Sequence, residues 1–110
     1  MSLRDVSVQE AFELVEGEAV LLDVRNIEEY DAGHAPMATL IPLAELPDRL
    51  EELPRDTLIV CVCRSGGRSK RAATFLLEQG FDVVNVEGGM LAWVGADLPF
   101  ESDEGEATIE

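Results

Sequence analysis

Thr57-Leu58-Ile59-Val60-Cys61-Val62, then Cys63-Arg64-Ser65-Gly66-Gly67-Arg68, then Ser69-Lys70-Arg71-Ala72-Ala73-Thr74-Phe75-Leu76-Leu77-Glu78-Gln79-Gly80 read as a strand, a loop and a helix in one uninterrupted stretch. The first run is apolar, β-branched and too short for an ordinary helix, which predicts a buried strand. In the third, apolar residues at 72, 75 and 76 and at 73 and 77 fall on one helical face, and Gly80 stands where a helix would end. Cys63 is thereby placed at the carboxyl end of a strand, facing a helix N-terminus. Open parallel sheets bind their ligands at such junctions.

The flanking sequence supplies the rest of an α/β scaffold. Ser7-Val8-Gln9-Glu10 is a capping box, followed by Ala11, Phe12, Leu14 and Val15 on one face and closed by Gly17. Ala19 to Val24 is a second buried strand, and Asn26 caps a short helix through Glu28, Glu29 and Tyr30. Thr39-Leu40-Ile41 reads as a strand. Leu43, Leu46, Leu50 and Leu53 follow at helical spacing, with Pro47 assigned to the first turn and Pro54 placed beyond the end. Asp82 to Val86 is the last strand, and Gly88-Gly89 opens a short helix in which Trp93 is a packed anchor. Strands and helices alternating at this length predict one domain, residues 1–100, with a parallel sheet. Residues 101–110 carry five carboxylates and little to bury, so a mobile acidic tail is expected.

Charge narrows the function classes. Twenty-three acidic residues stand against eight basic ones, for a net charge of -15, and Lys70 is the single lysine. Nucleic-acid binding, which neutralises phosphates with Lys and Arg, is not expected. No apolar run reaches the length of a membrane span, and residues 1–5 lack the hydrophobic stretch of a signal peptide, so a cytoplasmic protein with reduced thiols is expected. Self-repulsion at this charge density suits a salt-rich cytosol of the halophilic archaeal kind, where the Debye length shortens to about 3 Å at 1 M salt. A melting temperature that climbs steeply from low to molar salt is the expected result, and a flat one removes the idea.

Against that field, four of the eight basic residues crowd into Arg64 to Arg71, beside Cys63. The thiolate is the reactive form of cysteine, and a nearby Arg, a Gly-rich turn and a helix N-terminus all favour it. An unperturbed thiol titrates near ~8.5, so ionising it at neutral pH takes a shift of roughly two units, about 2.7 kcal/mol. A helix terminus gives about 0.3–1 kcal/mol, or ~2 when partly buried. The remainder falls to loop N–H groups and to Arg64 or Arg68. Gly66 and Gly67 suit a loop whose consecutive amides face one centre.

Here the residues resemble a family. Cys63 through Ser69 is similar to the active loop of the rhodanese (sulfurtransferase) domain, a cysteine with an Arg five positions on. Leu21-Leu22-Asp23-Val24-Arg25, Glu28-Glu29-Tyr30, Gly33-His34, Ile41-Pro42 and Glu87-Gly88-Gly89-Met90-Leu91-Ala92-Trp93 stand in the family's order at about its spacing, so the likeness covers roughly Val6 to Pro99. The resemblance implies a rhodanese-like three-layer fold, a central parallel sheet of about five strands flanked by helices. It implies that Cys63 takes sulfur from a small anionic donor, thiosulfate above all, as a persulfide, and passes it to a thiol, cyanide or a sulfur-acceptor protein. Arg64, Ser65, Gly66, Gly67, Arg68 and Ser69 would bind the donor, their amides forming a cradle, with either Arg64 or Arg68 touching it.

Two other readings use the same loop. A persulfide carrier for one protein partner would share its fold and chemistry but turn over poorly with free donors. A cysteine phosphatase would need five residues between Cys and Arg, and Ser69 occupies that position. Cys61 reads as a small core hydrophobe, and a disulfide to Cys63 along an extended strand would be strained. Two Cys and one His do not make a structural zinc site, so neither metal nor cofactor is expected. His34 reads as a loop residue bonded to backbone. Asp23 and Arg25 are assigned structural support, through hydrogen bonds or an ion pair with Glu28 or Glu29.

Overall fold

The computed structural model describes residues 2–103 and 105–110. In chain order its elements are β1 (Arg4–Val6), α1 (Val8–Glu16), β2 (Val20–Asp23), α2 (Ile27–Ala32), β3 (Thr39–Leu40), two 3-10 segments (Leu43–Asp48 and Leu50–Glu52), β4 (Ile59–Val62), α3 (Gly67–Glu78), β5 (Val83–Val86) and α4 (Gly89–Gly95). The strands form one sheet in the order β1-β5-β4-β2-β3, every pair parallel. β4 is central, with Val60 opposite Leu21 of β2 and Val84 of β5. All four of its residues are buried, as a near-continuous apolar strand requires when both sheet faces are covered.

Two cores sit on those faces, because successive strand side chains point opposite ways. Leu22, Ile59, Cys61 and Cys63 face Ala72, Ala73 and Leu76 of α3 and Leu46. Leu21, Val60, Val62 and Val84 face Val8 and Ala11 of α1 and Met90 and Trp93 of α4. Trp93 is fully buried, meets Phe12 edge-on at 5.8 Å and donates its indole N–H to Pro99 O at 2.7 Å. The result is the three-layer rhodanese-like architecture expected above.

Three local expectations change. β1 pairs with β5, supplying a fifth strand where residues 1–5 had been read only for targeting signals. The leucines at 43, 46 and 50 lie in 3-10 turns rather than an α-helix, and Leu53 follows the second turn in extended backbone: Pro47 sits inside the first of them, where its missing N–H would break an i to i-4 ladder. Ser7 does accept from the Glu10 amide at 3.1 Å, but the Glu10 carboxylate turns to Arg4 at 2.8 Å instead of completing the box.

Beyond residue 100, Glu101, Ser102 and Thr108 bond back to the domain. His34 and Glu101 exchange backbone hydrogen bonds of 2.9 Å each, and Thr108 N donates to Ala32 O at 2.9 Å. Among the described residues no helix is long and apolar enough to cross a membrane.

Candidate functional site

β4 delivers the chain into the loop, and α4 decides how the loop's peptides face. Met90 N donates to Cys63 O at 2.8 Å and Leu91 N to Arg64 O at 3.1 Å, so the free N–H groups of α4's first turn pull both carbonyls toward that helix. In a trans peptide the N–H points opposite to the carbonyl, and the Ser65 amide therefore turns back toward the sulfur. Gly89 makes this approach possible, since a Cβ there would lie 2.5 Å from the Cys63 and Arg64 carbonyl oxygens, at φ +59. Gly66, in the left-handed region at φ +114, reverses the chain and donates its N–H to Cys63 Sγ at 3.1 Å. Gly67 plays no such part: it is the first residue of α3 and has open space where a Cβ would go.

Burial opposes ionisation of Cys63, which is 1% exposed, yet donors outweigh it. The Ser69 hydroxyl and the Ser69, Gly66 and Ser65 amides hold the thiol's pKa below its ordinary value. The cradle expected from residues 64–69 thus draws its donors from Ser65, Gly66 and Ser69. Two residues earlier on the same strand face, Cys61 is fully buried, and burial together with the neighbouring Cys63 pushes its thiol far up. Both cysteines are free.

The two loop arginines have different partners. Arg68 is clamped by Glu29, Nη1 to Oε1 at 2.7 Å and Nη2 to Oε2 at 2.9 Å, a fork-to-fork pair. Arg64 is exposed, and its Nε donates to the backbone oxygen of Glu110 at 3.1 Å. The hydrogen bonds from Arg68 bring the Glu29 pKa down to about 2 despite partial burial, with the Asn26 amide assisting. A carboxylate depressed in the folded state stabilises above its unfolded pKa and loses that contribution as pH falls toward the folded value. The stability difference between the wild type and Glu29→Gln should therefore be full above pH ~5 and shrink from about pH 4.5 down to about 2, measured as urea midpoints across that window. A difference that stays constant to pH 2.5 would show that the pair is not the cause.

Glu29 was expected to serve Asp23 or Arg25, and the structure corrects this. Arg25 pairs with Asp23 itself, Nε to Oδ1 at 2.9 Å and Nη2 to Oδ2 at 2.7 Å, with both side chains fully buried. The same guanidinium donates to Gly33 O at 2.8 Å and to Glu29 O at 3.4 Å, so it reaches Glu29 only through backbone. Glu28 is exposed. The pair pins α2, and α2 carries the Glu29 that holds Arg68.

His34 is a backbone-bonded residue, its Nδ1 2.7 Å from Tyr30 O and its ring stacked on Tyr30 at 3.8 Å. With Glu101 and Asp103 it forms the one group of potential metal ligands found among the described residues, built mainly from exposed carboxylates. Two residues behind the site escaped the sequence reading. Asn85 is 3% exposed in β5 and accepts from the Ser69 hydroxyl at 2.6 Å, and Asp5 accepts from Asn85 at 3.0 Å. The signal was a lone amide inside the apolar run Val83-Val84-Asn85-Val86.

The family model of the rhodanese-like domain matches residues 7–96. A Bacillus subtilis protein bearing the name "Putative sulfurtransferase YtwF" is 42% identical over 101 residues, covering 90% of this chain and 98% of its own. A sulfurtransferase of Allochromatium vinosum is 38% identical, covering 80% and 83%. The crystal structure of a rhodanese-related protein from Thermoplasma volcanium superposes with a TM-score of 0.84 at 31% identity, covering 89% of this chain and 97% of that one.

Proposed function

Because the chain belongs to the rhodanese-like domain family, we propose that it is a sulfurtransferase working through a persulfide on Cys63. Relatives of 38–42% identity that carry the sulfurtransferase name support the general activity. The observation that carries the mechanism is the convergence of the Ser65, Gly66 and Ser69 donors on one sulfur whose pKa lies below that of an ordinary thiol. With thiosulfate as donor, the Cys63 thiolate attacks the outer sulfur. The new S–S bond forms as the old one breaks, and sulfite departs with the bonding pair. The persulfide anion left behind carries the same single negative charge, now one sulfur further out, where the inward-facing amides of the loop can hold it. A nucleophilic acceptor then attacks the outer sulfur and returns Cys63 to its starting form; cyanide would leave as thiocyanate.

Arg64 is the arginine proposed to contact the donor. What supports it is that Arg68 already spends both terminal nitrogens on Glu29, whereas the Arg64 side chain lies at the surface beside the loop. The persulfide-carrier reading has its own support in the 1% exposure of Cys63, which restricts free donors to small molecules reaching the loop mouth. One experiment separates the two. Protein is incubated with thiosulfate and its intact mass taken, then cyanide is added and thiocyanate assayed. Gain of one sulfur with repeated thiocyanate release is the expected result; gain without turnover favours the carrier, and no gain removes both.

A further inference from the structure

A chain of polar groups runs from the sheet edge to the reactive sulfur. Asp5 Oδ1 on β1 accepts from Asn85 Nδ2 at 3.0 Å, and Asn85 Oδ1 on β5 accepts from the Ser69 hydroxyl at 2.6 Å. The same hydroxyl lies 3.3 Å from Gly66 O and also faces the Cys63 sulfur. Ser69 is fully buried and Asn85 nearly so. A serine hydroxyl has one proton, so it cannot donate to Asn85 and to Cys63 at once.

Asp5 decides the competition. An ionised carboxylate only accepts, so it holds the Asn85 amide with NH2 toward the edge and C=O toward Ser69. That carbonyl competes with the sulfur for the one Ser69 proton. We propose that Asn85, oriented by Asp5, is a positioning residue that sets how far the Ser69 hydroxyl donates to Cys63, and so how firmly the loop holds the sulfur anion. The inference rests on Cys63 being the reactive thiol. Other groups bearing on that sulfur are the Arg68 guanidinium and the Cys61 thiol, and Lys70 Nζ stands 3.8 Å from the outer oxygen of Asp5.

The test is the pH dependence of Cys63 alkylation by iodoacetamide, mapped by mass spectrometry, in Asp5→Asn, Asp5→Glu, Ser69→Ala and the Asp5→Asn/Ser69→Ala double variant. Asp5 is exposed, so its substitutions spare the core. In Asp5→Asn the neighbouring amide is free to turn its NH2 toward Ser69, releasing the hydroxyl to the sulfur. The apparent pKa of Cys63 should then fall by about one unit, the worth of a hydrogen bond to a charged group. Asp5→Glu, still an acceptor only, should keep the wild-type value, and Ser69→Ala should move it up. Loss of the Asp5 charge alone would lower the pKa equally with or without Ser69, whereas the proposed route requires Asp5→Asn to have no effect in the Ser69→Ala background. Equal shifts in both backgrounds, or no shift in Asp5→Asn, overturn the proposal. Alkylation needs no sulfur donor, so a protein that follows this pattern yet gains no sulfur from thiosulfate keeps the inference and loses the transferase reading.

Discussion

Cys63→Ser should abolish the one-sulfur mass gain after thiosulfate treatment and lower thiocyanate formation by at least ~10³-fold, whereas Cys61→Ser should retain both. The contrast is strong because the thiols differ in environment and not in chemistry. Cys61 sits on the α3 face among Leu22, Ile59 and Leu76, where burial keeps it protonated. Cys63 is the next residue on that face, but it lies past the end of β4, where the backbone stops pairing and its amides become free to turn inward. A hydroxyl at 63 would be a far weaker nucleophile, and the imidazole of His34, committed to Tyr30 O and Tyr30's ring, is not placed to activate it. Persistence of the adduct in Cys63→Ser, or its loss in Cys61→Ser, would refute the assignment.

Asp23→Asn should cost about 3–5 kcal/mol of stability, a large share of the roughly 5–15 kcal/mol a domain has. The substitution keeps the shape of the side chain and removes its charge, leaving the Arg25 guanidinium fully buried without a counter-ion. Asn can accept one of the guanidinium hydrogen bonds but not the bidentate set that Asp23 supplies. Urea unfolding followed by fluorescence of Trp93 measures the loss, and a cost under about 1 kcal/mol would mean that the pair is not a dry ion pair. Replacing both residues together by apolar ones of similar volume should be milder than the single change, because no orphan charge remains. The effect should extend to the loop: Arg25 fixes α2 through Gly33 O, and α2 presents Glu29 to Arg68.

How much of this was legible in the sequence follows from the range of each interaction. The strand, loop and helix around Cys63 are local and were read almost to their ends, from a β-branched run, a Gly pair and an apolar helical face. The 3-10 turns were misread because leucine spacing alone does not tell a 3-10 turn from an α-helix, and Pro47 was assigned to a helix start when it marks a different winding. β1 was missed since only Val6 of its three residues is buried, so an edge strand of this length leaves almost no apolar signature. Pairings between distant residues were the hardest. Arg68 and Glu29 are 39 positions apart, and Asn85 and Asp5 are 80 apart; in each case the sequence shows a charged or polar residue and only the topology chooses its partner.

The brevity of the outer strands has its own consequence. A sheet whose border exposes a long row of unpaired N–H and C=O groups invites a second molecule to add itself there and seed aggregation. Here the borders are three and two residues long, one opening with Arg4-Asp5 and passing into α1 after the single residue Ser7. With so little template on offer, concentrated solutions should resist fibril seeding even where salt has masked the mutual repulsion of the acidic surface.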